Sequence, residues 1–369
     1  MASSVAGRRS VGPVIRRDPG SSYATLFNPS TGFLARTEDS RGADPFWAPR
    51  GPELLDISIT NWCDRQCATC YRSSSLSGLH MSRENYSLIL AQAAECGVFQ
   101  IALGGGNPNQ HPDFVAMLRA TREDFGLIPN YTTNGRGLCN EVVDASARYC
   151  GAVAVSAYEP IEELEQAVTR LADAGVKVNL HFVLDAQSIQ TALSWLRDPP
   201  RVLMRVNAVV FLTFKPVGRG ADHSRLLRHG DTLAEFVNIA MYGDPGFRVG
   251  FDSCMASAFA GTSQDCMYWL DGCEAARFSM FISERLLAYP CSFMEGLMPG
   301  MLVKECNLQK IWQEAATFRA VRARLARNEC EPCDLSDLCR GACPAFSVIR
   351  MCRPPSEEQA MRARQLETG

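Results

Sequence analysis

Three cysteines, Cys63, Cys67 and Cys70, stand at Cys-x3-Cys-x2-Cys spacing. Thiolates so placed can hold three irons of a cubane cluster and leave the fourth iron open, and an open iron is a site where a small molecule binds. A structural zinc site is the alternative, but such a site takes four protein ligands. A second field, Cys330-x2-Cys333-x5-Cys339-x3-Cys343 followed by Cys352, has upstream companions in Cys266, Cys273 and Cys291. Those thiols suffice for two four-iron clusters at four ligands each; a pair of zinc ribbons is the plainer reading. The chain holds 16 cysteines in 369 residues, and a chain of this length does not need disulfides for stability, so ligation leads. Cys96, Cys139, Cys150, Cys254 and Cys306 are scattered and read as small buried apolar residues.

Regular elements must position these groups. Leu55, Ile57 and Ile59 alternate as a strand, an amphipathic stretch follows from Arg83 to Ala94, and the apolar run Phe99 to Leu103 makes a second strand. The rhythm continues with helix Asp113 to Glu123, strand Ile128 to Thr132, helix Glu141 to Arg148, strand Ala152 to Ala157 and helix Glu162 to Ala174. Strand Lys177 to Val183, helix Ser188 to Leu196 and strand Ala208 to Phe214 complete it near Arg219. Six strands with helical crossovers predict a partial (β/α)6 TIM-like barrel over residues 51–245, within an α/β fold class. Cys63, Cys67 and Cys70 then lie on the loop at the carboxyl end of the first strand, the edge where parallel α/β folds carry their chemistry.

A small cysteine-rich domain is expected over residues 246–369, with short strands at Arg277 to Ile282 and Arg285 to Tyr289 and a helix from Leu308 to about Leu325. Residues 1–50 read as an N-terminal extension. Tyr23 to Leu26 and Phe33 to Arg36 form a hairpin across Asn28-Pro29-Ser30-Thr31-Gly32, and the first twenty residues or so form a disordered tail. A net charge of -3 supplies no global pull toward nucleic acid or anionic membrane. No apolar run reaches the roughly 18–20 residues of a membrane span, and no secretory signal is present. His111-Pro112-Asp113 reads as ordinary helix-start chemistry, and Lys215-Pro216-Val217-Gly218-Arg219 is a loop on the active edge whose role the sequence leaves open.

At the first cysteine group the chain resembles the radical S-adenosylmethionine enzymes, which carry this spacing on this loop with an aromatic residue, here Tyr71, beside the last cysteine. Gly105-Gly106-Asn107-Pro108 is similar to that family's glycine-rich motif, with Asn107 in place of the usual acidic residue; Asn134, within Thr133-Asn134-Gly135, and Ser156 also resemble positions that touch the cofactor. The C-terminal cysteines resemble a SPASM domain, which carries two auxiliary 4Fe-4S clusters. The resemblance implies that Cys330, Cys333, Cys339 and Cys352 hold one cluster and that Cys266, Cys273, Cys291 and Cys343 hold the other. The Cys273 to Cys291 interval is longer than usual, and Leu286 stands where a glycine is expected; the alternatives at the second site are an open iron or Cys254 in place of Cys266.

The resemblance implies S-adenosylmethionine and three 4Fe-4S clusters as cofactors, with a flavodoxin- or ferredoxin-like electron donor and a reducing cytoplasm. Cleavage of S-adenosylmethionine would supply a 5'-deoxyadenosyl radical that abstracts hydrogen from substrate. A six-stranded barrel open on one side suits a peptide, so the leading expectation is maturation of a ribosomally made peptide by a side-chain cross-link. Oxidation of a protein Ser or Cys or of a small alcohol, peptide epimerisation, and a non-catalytic metal scaffold are the alternatives. About fifty residues before the first barrel strand leave little room for a separate leader-binding domain, which makes the Tyr23 to Arg36 hairpin a candidate grip.

Overall fold

In a computed structural model, the described residues are 12–18, 22–38, 45–262, 270–327 and 335–352. The first strands are β1 (Val14–Arg17), β2 (Tyr23–Phe27) and β3 (Leu34–Glu38), an antiparallel sheet of three. The expected hairpin is thus present, but residues 14–17 are a strand and not a tail. Arg16 holds β1 in place: it is buried, lies 5.0 Å from the centre of the Phe99 ring, and donates to the carbonyl of Gly97. That attachment is cationic and leaves no apolar alternation to read.

The barrel follows as β4 (Leu54–Thr60), α1 (Arg83–Cys96), β5 (Gln100–Gly105), α2 (Phe114–Arg119), β6 (Ile128–Thr133), α3 (Asn140–Tyr149) and β7 (Val153–Ser156). It continues with α4 (Ile161–Asp173), β8 (Val178–Leu184), α5 (Ile189–Arg197), β9 (Ala208–Thr213), α6 (Asp231–Tyr242) and β10 (Val249–Phe251). The six expected strands lie side by side, all parallel. α2 is shorter than its periodicity predicts. It gives way at Ala120 to a π-helical turn, where the Thr121 hydroxyl donates back to the Met117 carbonyl at 2.8 Å.

After α7 (Ala256–Thr262) come β11 (Ser279–Ile282), β12 (Leu287–Tyr289), β13 (Met301–Leu302), α8 (Leu308–Glu314), α9 (Ala316–Ala326) and α10 (Ser336–Cys339). The single helix expected from Leu308 is two, parted at Ala315 in extended backbone. The sheet crosses residue 245 without a break. β10 pairs with β9, and β11 pairs in parallel with β4, giving the order β10-β9-β8-β7-β6-β5-β4-β11-β12-β13.

Side chains alternate most clearly in β8, where Val178, Leu180, Phe182 and Leu184 are fully buried and Asn179, His181 and Val183, half-buried, border the lumen. The buried set packs under the helices in one continuous core. Phe27, Phe99, Ile128 and Leu34 close the barrel floor, where the small sheet seats. That sheet is fixed by Glu53, which is 2% exposed and accepts from Tyr23, Thr25 and Arg36. The floor is sealed, so chemistry is left to the opposite, carboxyl edge.

Candidate active site

Cys63, Cys67 and Cys70 share the loop that leaves the carboxyl end of β4. Three neighbouring strand-end loops hold it. From the β9 loop, Arg219 donates its main-chain N–H to the Cys70 carbonyl at 3.0 Å and its guanidinium to the carbonyls of Cys67 and Ser74. Gly218 and Gly220 pack so closely that a Cβ on Gly218 would lie 2.4 Å from the Tyr71 carbonyl oxygen, and one on Gly220 would lie 2.5 Å from Cα of Thr69. The stretch whose role the sequence leaves open is therefore a clasp on the cysteine loop.

From the β6 loop, Asn134 donates from Nδ2 to Asp64 at 3.2 Å and toward the Cys63 sulfur at 3.6 Å. From the β5 loop come Gly105 and Gly106. A Cβ on Gly105 would fall 2.0 Å from the Thr60 carbonyl oxygen, and one on Gly106 would fall 1.9 Å from that of Trp62. The space these glycines leave empty is filled by the cysteine loop's own backbone. Asn107 is fully buried: its amide donates to Gln110 and to the Arg136 carbonyl, while its oxygen accepts from the Thr133 hydroxyl and the Asn134 N–H. Three of these four bonds join the β5 loop to the end of β6 and its loop, and the fourth, to Gln110, braces the β5 loop itself. Ser156 ends β7 beside His181 in register, and its hydroxyl bonds the Tyr158 phenol.

The thiols feel one another. Burial pushes the Cys67 thiol up, and the nearby Cys70 and Cys63 sulfurs add to the rise against Arg65. Tyr158 is likewise raised, by burial and then by Cys67 and Cys70. Three close thiolates repel unless a cation gathers them, so the donor set suits a cationic iron cluster. Among the described residues no three His, Cys, Asp or Glu surround the position of a single metal ion. A cubane sets each thiolate on a different iron and spaces its ligands more widely.

The Tyr71 and Phe293 rings meet at a tilt of 42° with centres 4.6 Å apart, and Arg72 pairs with Glu284 at 2.6 Å and with Glu295. These side chains border a cavity of about 370 Å³ between the cysteine loop and the segment around β12. Beneath lies Asp56 on β4, facing the lumen beside Ala102 and Phe281 in register. Burial raises its carboxyl from the ordinary 3.8 to about 7, against the pull of Arg72. Sequence reasoning passed over Asp56, although a carboxylate in the alternate register of an apolar strand was the available signal. His181, also facing the lumen, is lowered to about 4 by burial, against Asp252, and is neutral at pH 7. His111 proves structural: its Nδ1 accepts from the Asp113 N–H at 3.0 Å, which leaves Nε2 to donate to the Met81 carbonyl at 2.9 Å.

Of the C-terminal cysteines, Cys273, Cys291 and Cys343 come together, while Cys266, Cys330 and Cys333 lie outside the described residues. Cys339 ends α10, and the backbone of Cys352 lies against Gly261 of α7. Among the described residues no helix is long and apolar enough to cross a membrane.

No family model matches the chain. Mycofactocin maturase MftC of Mycolicibacterium smegmatis is 24% identical, over 80% of this chain and 78% of that protein. PqqA peptide cyclase of Rhizobium meliloti is 25% identical, over 79% and 82%. Among solved structures, SuiB of Streptococcus suis superposes with a TM-score of 0.72 at 15% identity, covering 93% of this chain and 98% of SuiB. The anSMEcpe structure with bound AdoMet gives 0.62 at 15% identity, over 85% and 95%. SuiB has also been solved with its precursor peptide SuiA, and that structure matches with a TM-score of 0.69. At these identities the solved structures establish the shared fold.

Proposed function

We propose, from the premise that this chain is a radical S-adenosylmethionine enzyme, that it matures a ribosomally made peptide by joining two of its side chains. The observation that carries the reading is the placement of three mutually close thiols, clasped by three strand-end loops, over the carboxyl edge of an open parallel barrel. In this reading Cys63, Cys67 and Cys70 hold the catalytic 4Fe-4S cluster. S-adenosylmethionine, when bound there and reduced, supplies a radical that removes hydrogen.

The chain's own residues do the rest. Gly105 and Gly106 admit the cysteine loop, Asn134 fixes Asp64 and Cys63, and Asn107 sets the angle between the β5 and β6 loops. Ser156 and Tyr71 flank the space left for cofactor. Forming a cross-link after hydrogen abstraction also requires loss of a proton. Asp56 faces the lumen, its pKa is matched to neutral pH, and no hydrogen-bond partner engages it among the described residues, so it is suited to accept that proton. The surplus electron has an outlet in auxiliary clusters on the C-terminal thiols, and a flavodoxin- or ferredoxin-like protein would reduce the catalytic one.

The relatives' names, mycofactocin maturase and PqqA peptide cyclase, support a peptide substrate. The test is anaerobic incubation with a precursor peptide encoded beside the gene, S-adenosylmethionine and dithionite, followed by mass analysis. A product lighter by two hydrogens that hydrazine does not trap is expected. A hydrazine-reactive product would place the enzyme with the carbonyl-forming oxidases, and an unchanged mass with altered stereochemistry would make it an epimerase.

A further inference from the structure

The inner C-terminal site is assembled from distant segments, and one member is Cys254, which stands among the scattered cysteines of the sequence and is the alternative there to Cys266. Cys254 sits on the turn after β10 and shares a hydrogen bond with Cys343, Cys254 donating. Its charge reaches both Cys273 and Cys291, and Cys273 in turn is felt at Cys343. Four thiols thus meet from the end of β10, the approach to β11, the end of β12 and the segment after α10.

Two further features separate this group from cysteines that merely fill a core. Backbone N–H groups aim at its sulfurs: that of Ala275 at Cys273, that of Phe293 at Cys291 and that of Phe346 at Cys343. Such bonds stabilise thiolates and are of no use to a thiol packed as a hydrocarbon. A buried cation also stands by. Lys215 pairs with Asp252 at 2.5 Å, lies 4.8 Å from the Phe293 ring centre, and is close enough to feel both Cys254 and Cys343. Asp252 in turn accepts from the Thr213 N–H at 3.1 Å and hydroxyl at 2.7 Å, fixing the turn that presents Cys254 to the end of β9.

We infer that Cys254, Cys273, Cys291 and Cys343 are the four ligands of the inner auxiliary 4Fe-4S cluster, so that Cys254 takes the place expected for Cys266 and no iron is left open. This rests on the proposal that the C-terminal region carries auxiliary clusters. It bolts the cluster to the barrel's own edge strand, with Lys215 and Phe293 between it and Tyr71 of the catalytic loop.

The test uses the full chain, reconstituted anaerobically, as wild type, Cys254→Ala, Cys254→Ser and Cys266→Ala, read by iron and sulfide content and by the electron paramagnetic resonance of the reduced clusters. Cys254→Ala is expected to lose about four irons per chain, and the near-isosteric Cys254→Ser to lose them or to shift one cluster's signal. Cys266→Ala is expected to match wild type in both readouts. Iron loss or a shifted signal in Cys266→Ala, with Cys254→Ser unchanged, would overturn the assignment. Should neither Cys254 variant fold, Cys266→Ala alone decides in the same way. Failure of the underlying reading looks different: in that case wild type holds only about four irons, and all of them vanish when Cys63, Cys67 and Cys70 are changed to Ala. If zinc then fills the inner site, its loss in Cys254→Ala keeps the four ligands and overturns only the cluster.

Discussion

The two thiol sites of this protein are built in opposite ways. The loop of Cys63, Cys67 and Cys70 takes its cysteines from one short stretch and is held from outside, by Arg219, Asn134 and the close approach of Gly105 and Gly106. The inner C-terminal group takes its cysteines from segments as far apart as Cys254 and Cys343 and is held by the sheet itself, through β10 at one end and β11 beyond β4. A site local in sequence keeps a face free for a small molecule and depends on its neighbours for rigidity. A site gathered across the fold is rigid by construction and closed. That difference suits one site to chemistry and the other to holding an electron.

The comparison breaks most sharply at Gly106. A methyl group there would meet the Trp62 carbonyl oxygen at 1.9 Å, with the Trp62 and Asn61 backbone directly behind it, so Gly106→Ala should displace the cysteine loop. The variant should lose 5'-deoxyadenosine production entirely while keeping roughly eight irons on the C-terminal thiols, as iron analysis would report. Equal loss from both sites would mean that the two are not independently built.

Asp56→Asn is next. It should leave 5'-deoxyadenosine formation intact and slow cross-linked product by about 10²-fold or more, uncoupling the two in a simple product ratio. The wild-type product rate should rise with pH through about 7 as the carboxyl ionises, a rise missing from the variant. The same group acts on stability with a fixed sign. Its folded pKa of about 7 lies above the ordinary 3.8, so between those values the folded state holds a proton that the unfolded chain has released. Stability therefore falls as pH rises through that window and levels off above it, and Asp56→Asn should flatten the slope in denaturant titrations.

Arg219→Ala removes the guanidinium from the carbonyls of Cys67 and Ser74 and should cost about 2–3 kcal/mol locally. We expect a several-fold slower 5'-deoxyadenosine rate and faster iron loss to a chelator from the catalytic site, with the C-terminal sites unmoved. The smallest effect is expected from Phe27→Ala on the barrel floor, which opens the contact with Phe99 at 5.0 Å. Its cost of about 3 kcal/mol should appear as a lower Tm with activity per folded molecule unchanged.

The same contrast explains what could be read from the sequence. Strands β4 to β9 announce themselves through apolar alternation, and the loop cysteines through their spacing. β10, of three residues, is too short for any period to appear, and β11, though expected as a short strand, carries no local sign that it pairs with β4, so the sheet's continuation past the sixth strand was hidden. β1 escaped because its anchor is the buried Arg16, and the shortened α2 because one Thr hydroxyl redirects its last turn. Asn107 was legible as part of a motif, but not as a residue whose amide ties the β5 loop to the end of β6. Cys254 could be offered only as an alternative to Cys266, since nothing local in the sequence ties it to Cys343; the two meet only in the fold, from the turn after β10 and the segment after α10.

The central claim is tested most directly by counting iron and sulfide on anaerobically reconstituted protein and assaying 5'-deoxyadenosine after adding dithionite and S-adenosylmethionine, for wild type and for a variant with Cys63, Cys67 and Cys70 changed to Ala. The account predicts roughly twelve irons falling to roughly eight, with 5'-deoxyadenosine lost. Zinc in place of iron, or an intact wild type that releases no 5'-deoxyadenosine, would contradict it.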